Sequence, residues 1–145
     1  MPAADIEERL HCYIAAQKTH GYARLSVSYG AHFAGYVGVM HHEGRDHSLG
    51  PHDEIGRRIL PEFWGKGIAT KAAQIVLQDV FERVGLHHVL AYTGPSNLRS
   101  QAVMMRLGMT RRPDLDFEEV YPPIGIWHGL TWRIEAPDHV RGGME

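Results

Sequence analysis

The sequence predicts a single α/β (α+β) domain over residues 1–145, built on a mixed sheet. Apolar and polar residues alternate over 23–29, the period of a half-buried strand. Ile68, Ala72, Ile75, Val76, Val80 and Val84 form a helical stripe, with Lys71, Gln78, Asp79 and Arg83 largely off it. Between them a strand is closed by Pro61, which lacks a ladder donor, and runs through a glycine-spaced turn directly into that helix. With 145 residues, 43% apolar and 22% charged, the chain has material for one core rather than two.

Taken in order, Ile6, Leu10, Tyr13, Ile14 and Gln17 recur at threes and fours, so residues 5–19 are expected to form an amphipathic helix capped by Asp5 and ended by Gly21. Leu25, Val27 and Tyr29 give the buried face of a first strand, and Gly30-Ala31-His32 a turn. The second strand, Phe33 to Met40, carries Gly35 and Gly38, which predicts close packing or a bulge. A polar loop from His41 to His52 follows, then a third strand from Asp53 to Leu60 that completes an antiparallel meander. After the long helix, stopped by Gly85, come a strand from His88 to Tyr92 and a loop from Gly94 to Asn97. A helix from Arg99 to Leu107, closed by Gly108, leads to two last strands joined at Pro122-Pro123, the first near Phe117 and Tyr121, the second from Gly129 to Glu135.

The net charge of -2 gives no basic footprint for nucleic acid and no polybasic membrane patch. Cys12 is the only cysteine, so an intrachain disulfide and a thiolate metal cage are both excluded, and a reducing compartment is expected. No run approaches the roughly 20 apolar residues of a membrane span. The start, Met1-Pro2-Ala3-Ala4-Asp5-Ile6-Glu7-Glu8, has no apolar leader core, so a cytoplasmic protein is expected.

The stretch from Leu60 to Thr70 carries the chemistry. Residues 64–70 place backbone N–H groups at a helix opening, where unpaired donors and the macrodipole favour an anion. Gly65 and Gly67 would let the backbone approach a diphosphate, and Lys66 would add a mobile cation. The spacing is neither the GxxxxGK(S/T) of a nucleotide P-loop nor the GxGxxG of a dinucleotide fold. Alone, Gly-Lys-Gly before a helix fits a tight turn equally well.

The run from Glu54 to Ala72, containing Glu54-Ile55-Gly56 and Trp64-Gly65-Lys66-Gly67-Ile68-Ala69-Thr70, resembles the acyl-CoA motif of GNAT acetyltransferases. It is most similar to the branch of ribosomal-protein N-terminal acetyltransferases. A second block lies at the matching distance: Gly85-Leu86-His87-His88-Val89, Tyr92-Thr93, Asn97-Leu98-Arg99-Ser100 and Met105-Arg106-Leu107-Gly108-Met109. The resemblance covers residues 22–135 and implies a twisted, mostly antiparallel sheet with helices on both faces. It further implies that the strands at 53–60 and 88–92 splay around the pantetheine arm of acetyl-CoA. Backbone groups of Arg58, Ile59 and Leu60 would then meet the pantetheine and thioester carbonyl. Trp64 and Gly65 to Thr70 would hold the donor's pyrophosphate end, Asn97 the pantetheine, and Arg106 and Ser100 would complete the coenzyme A site. Asn97 also suits a helix N-cap.

Many GNAT enzymes protonate the leaving thiolate with a tyrosine where this chain has Met104. Ser100, which matches the branch's Asn-x-x-Ser, therefore becomes the expected catalytic acid, and Glu54 the expected base for the attacking amine. A plain ion pair of Glu54, with an arginine such as Arg57, is the alternative. The clustered His41, His42, His47 and His52, and the pair His87-His88, match no recurrent zinc spacing, so no metal is expected. Relatives of this branch usually open with a strand and a helix ahead of the element matched to residues 5–19, and those pieces are absent here; a more open acceptor site and a homodimer covering the sheet edge are expected. The implied activity is transfer of acetyl from acetyl-CoA to a primary amine, a protein N-terminus or a small amine, in a ternary complex. A catalytically silent acyl-CoA-binding module is the rival.

Overall fold

A computed structural model describes residues 15–142. Residues 15–20 (α1) are helical and end where Gly21, at φ +79°, returns its N–H to Gln17 O at 2.9 Å. Most of the predicted first helix, including Ile6, Leu10, Tyr13 and Ile14, lies outside the described residues.

Strands β1 (Arg24–Tyr29), β2 (His32–His42) and β3 (His52–Ile59) form the predicted antiparallel meander. The buried face expected on β1 is not buried: Leu25 is 52% and Tyr29 47% exposed, and only Val27 packs against the core. Alternation predicted a covered face, but among the described residues β1 is the sheet's edge, paired on one side only. The close approach predicted at the β2 glycines is present. A Cβ at Gly35 would fall 1.9 Å from Arg58 O, and one at Gly38 2.4 Å from the Ala23 carbonyl oxygen. A bulge sits opposite, between Val27 and Ser28. The histidine loop is shorter than expected, because β2 runs on through His41 and His42 and β3 starts at His52.

Pro61–Phe63 forms a 3-10 turn leading to α2 (Ile68–Asp79), whose last turn widens into a π turn at Val80–Val84. Gly85 ends it at φ +87°, donating to Val80 O. Then follow β4 (His88–Thr93), α3 (Leu98–Arg106), β5 (Thr110–Arg111), a 3-10 turn at Pro113–Leu115, β6 (Phe117–Tyr121), β7 (Gly125–Glu135) and α4 (Asp138–Gly142). Sequence periodicity gave no sign of β5, which is two residues long. The Pro122-Pro123 peptide between β6 and β7 is cis.

The seven strands run in the order β1-β2-β3-β4-β7-β5, with β6 also paired to β7. Every pairing is antiparallel except β3 with β4, which is parallel and rests on one residue pair, Glu54 with Leu90. Beyond that pair the strands separate. Helices α2 and α3 cover the sheet face that carries Val37, Val39, Ile55, Val89 and Ala91, burying them with Leu77, Phe81 and Met104. Burial of each valine stabilises the fold by about 1.5–3 kcal/mol relative to exposure. The opposite face of β1 to β4 presents Arg24, Tyr36, His42, His52, Glu54, Arg58 and Tyr92, by strand alternation and register. No helix among the described residues is long and apolar enough to cross a membrane.

Candidate functional site

Where β3 and β4 part, a cavity of about 800 Å³ opens, lined by Glu54, Arg57, Arg58, Tyr92, Asn97 and Ser100 among others. A groove of about 820 Å³ adjoins it across Ile59 and Leu60, bounded by Trp64, Gly65, Gly67, Ala69, Arg99 and Arg106. The two predicted blocks of sequence thus line two adjoining cavities.

The β3 ladder decides which backbone groups face the gap between β3 and β4. Leu60 N–H donates to Ala34 O at 2.8 Å, so it points toward β2 and not into the gap. Donors alternate along a strand, so Arg58 N–H, opposite Tyr36, points to β2 as well. Of the three residues expected to supply backbone donors, only Ile59 turns its N–H to the gap, joined there by Arg57. Ile59 O already accepts from Trp64 Nε1 at 2.7 Å. That bond fixes the indole at the groove mouth, where the Arg99 guanidinium lies 4.2 Å from its ring.

At the groove floor Gly65 and Gly67 take φ +79° and +73°, and Gly67 caps α2 with no side-chain partner. The N–H groups of Ile68, Ala69 and Thr70 open the helix without intrahelical acceptors. Lys66 does not face the groove. Its Nζ sits 5.4 Å from the Tyr29 ring, and the cations lining the groove are Lys71, Arg99 and Arg106. Lys66 stands between the two glycines in sequence, but the left-handed residues on either side turn it toward β1.

Ser100 and Asn97 meet at the start of α3. Asn97 Oδ1 accepts from Ser100 N–H at 3.1 Å, so the N-cap role is realised, while Asn97 also lines the cavity. Arg57 Nη2 donates to both Ser100 Oγ (2.6 Å) and Ser100 O (2.8 Å). Burial draws the Arg57 pKa below the ordinary arginine range. Because Ser100 Oγ accepts from a guanidinium, its own O–H is left to donate into the cavity. Met104 is 1% exposed and belongs to the core.

Glu54 lines the cavity yet is only 7% exposed. Oε1 accepts from Arg24 Nη2 and meets His42 Nε2, both at 2.9 Å. Burial alone would raise the Glu54 pKa, but the His42 hydrogen bond and the Arg24 charge override it and hold the carboxyl below its ordinary range. The expected alternative partner, Arg57, binds Ser100 instead. Behind Glu54, His42 stacks on His52 at 4.9 Å, and His52 Nε2 lies 3.4 Å from Tyr92 OH. Burial, then the Glu54 charge, raise the Tyr92 phenol pKa. Among the described residues no three His, Cys, Asp or Glu side chains are grouped to hold a metal.

Arg24, Arg57, Arg99, His42 and Tyr92 were not singled out as site residues from sequence. Their partners stand between 12 and 43 positions away, and although Arg57 lies in the first matched run and Tyr92 and Arg99 in the second block, nothing local shows which partner each side chain reaches.

A family model described as "Acetyltransferase (GNAT) domain" matches residues 1–110. The FsC-acetyl coenzyme A-N(2)-transacetylase of Aspergillus fumigatus is 37% identical over 76 residues, which is 52% of this chain and 32% of that protein. The chain spans about a third of the length of the curated relatives it matches. An acetyltransferase structure from Agrobacterium tumefaciens superposes with a TM-score of 0.74 at 23% identity, covering 93% of this chain and 73% of that one. The structure of yncA from Salmonella typhimurium with its cofactor acetyl-CoA gives a TM-score of 0.70 at 21% identity over 92% of this chain and 75% of its own. The parted β3 and β4, the glycine-opened α2 and the match over residues 1–110 together lead to one conclusion: the chain belongs to the GNAT acetyltransferase domain family.

Proposed function

We propose that this protein transfers an acetyl group from acetyl-CoA to a primary amine by direct attack within a ternary complex. The carrying observation is the gap between β3 and β4, adjoining the glycine-bordered groove at the α2 N-terminus. The pyrophosphate would lie on the N–H groups of 68–70, flanked by Lys71, Arg99 and Arg106, with the adenosine end toward Trp64. Pantetheine would run along the gap edge of β3, where Ile59 and Arg57 offer their N–H groups. Leu60 and Arg58 border the channel without donating from the backbone.

In the reaction the amine nitrogen bonds to the thioester carbon, the C–S bond breaks, and the proton lost by nitrogen balances the one gained by sulfur. Glu54, ionised and backed by His42, takes the first proton. Ser100, polarised by Arg57, donates its hydroxyl proton toward the leaving thiolate. The motif residues around Glu54 and Asn97 support the ribosomal-protein N-terminal acetyltransferase-like branch. Self-association through β1 is part of the same proposal, supported by the exposed Leu25 and Tyr29 on that edge.

Thiol release from acetyl-CoA with a panel of primary amines tests the activity. One observation favours a silent acyl-CoA-binding module: Glu54 is already held by two partners. Coenzyme A binding without thiol release for any amine would select that reading.

A further inference from the structure

We infer that the acceptor amine carries a carboxylate, received by Arg58 at the mouth of the cavity. This rests on the acetyltransfer reading above and names the class of substrate for it. Among the described residues the cavity is lined by three guanidiniums, Arg24, Arg57 and Arg58, against one carboxylate, Glu54. Arg24 is committed to Glu54 and Arg57 to Ser100. Among the described residues the Arg58 guanidinium has no hydrogen-bond or ion-pair partner, and Arg58 is exposed at the cavity wall. The described lining therefore carries a net positive charge and one available planar fork, the geometry that takes a carboxylate in two parallel bonds.

Position strengthens the argument. Glu54 and Arg58 are four residues apart on one strand and so face the same side, with Cα atoms about 13 Å apart along an extended chain. A nitrogen reacting near Glu54 and a carboxylate on Arg58 would then be joined by a spacer of several bonds. Tyr36, opposite Arg58 in the ladder, and Phe33, at 5.2 Å from it edge-on, give the spacer an aromatic wall. A polyamine would bring further positive charge toward an unopposed guanidinium, so the same field disfavours it.

The test uses the full chain, acetyl-CoA and matched acceptors: 4-aminobutyrate and 6-aminohexanoate with their primary amides, 1,4-diaminobutane, and the C-terminally amidated tripeptides Ala-Glu-Ala and Ala-Gln-Ala. The acids should exceed their amides in kcat/KM by about tenfold, carried in KM and shrinking with salt. Arg58→Gln should bring each acid down to its amide, and Arg58→Glu should reverse the order in favour of the diamine, both read as ratios between acceptors within one variant at saturating acetyl-CoA. Preference confined to the peptide pair, or shown by the free acids, supports the inference and identifies the source of the carboxylate. Equal turnover of acids and amides, faster turnover of diaminobutane by the native protein, or a preference that survives in Arg58→Gln overturns it while leaving acetyltransfer intact. Thiol release with none of these or other primary amines removes the acetyltransfer reading and this inference with it.

Discussion

Gly56 lies in the middle of β3 at a φ that any residue can adopt, yet a Cβ there meets the Arg24 guanidinium. An alanine Cβ would stand 1.9 Å from Arg24 Nη2 and 2.5 Å from its Cζ and Nε, because the Arg24 guanidinium crosses the strand at Gly56 to reach Glu54. On backbone entropy alone, alanine in a strand stabilises by roughly 0.5–1 kcal/mol over glycine. Here the guanidinium must move and the 2.9 Å contact between side chains 18% and 10% exposed is lost. A hydrogen bond between charged groups contributes about 1.5–3 kcal/mol, so Gly56→Ala should destabilise by about 1–2 kcal/mol net. Urea denaturation of Gly56→Ala, Arg24→Met and the double variant at neutral pH measures this. Both single changes remove the same contact, so the double variant should lose little more than the worse single one. A neutral or stabilising Gly56→Ala, or additive losses in the double variant, would refute the account of Gly56 as a channel for Arg24.

Further outcomes are expected. Glu54→Gln should lower kcat on the order of a hundredfold with little change in coenzyme A affinity, measured by steady-state kinetics beside a binding titration. Ser100→Ala should also lower kcat, and Arg57→Met should reproduce much of that loss while also loosening the tie between β3 and α3, read as a lower Tm. Trp64→Phe removes the donor to Ile59 O and should weaken acetyl-CoA binding several-fold, about 1 kcal/mol for one hydrogen bond. Burial lowers the His52 pKa from its usual 6.5, so the contribution of neutral His52 to stability is full above that value and declines as pH falls below it. Glu54, also lowered, adds a second loss below about 4.5. A urea midpoint measured against pH should fall in these two windows, and His52→Gln should flatten the first.

The parts of the site that were legible in sequence are those fixed by local chemistry. Pro61 must end a strand, glycines at 65 and 67 must allow a left-handed turn, and Asn97 must cap a helix, whatever the rest of the chain does. The meander was legible for the same reason, since alternation is a property of each strand by itself. Alternation does not reveal what lies against a strand, and so Leu25 and Tyr29 were assigned to a buried face that the edge position leaves open. Side-chain direction was equally out of reach: Lys66 leans on Tyr29, and Arg57, on the other face of β3 from Glu54, holds Ser100, 43 residues on. The narrowing of the backbone donors to Ile59 and Arg57 depends on ladder phase, which is set by the Gly35 and Ile59 register and by no single residue type.

The lone Glu54 and Leu90 pair between β3 and β4 makes the sheet two half-sheets held at a pivot. An extended donor laid in the gap would act as a surrogate strand, its amides replacing the ladder that the two strands do not form with each other. Occupancy should then fuse the halves into one cooperative unit, seen as slower amide exchange at Arg57 and Ile59 and across to Ala91 and Thr93 on β4, beyond the residues the donor itself touches. A scaffold of this kind leaves part of its own completion to the molecule it binds.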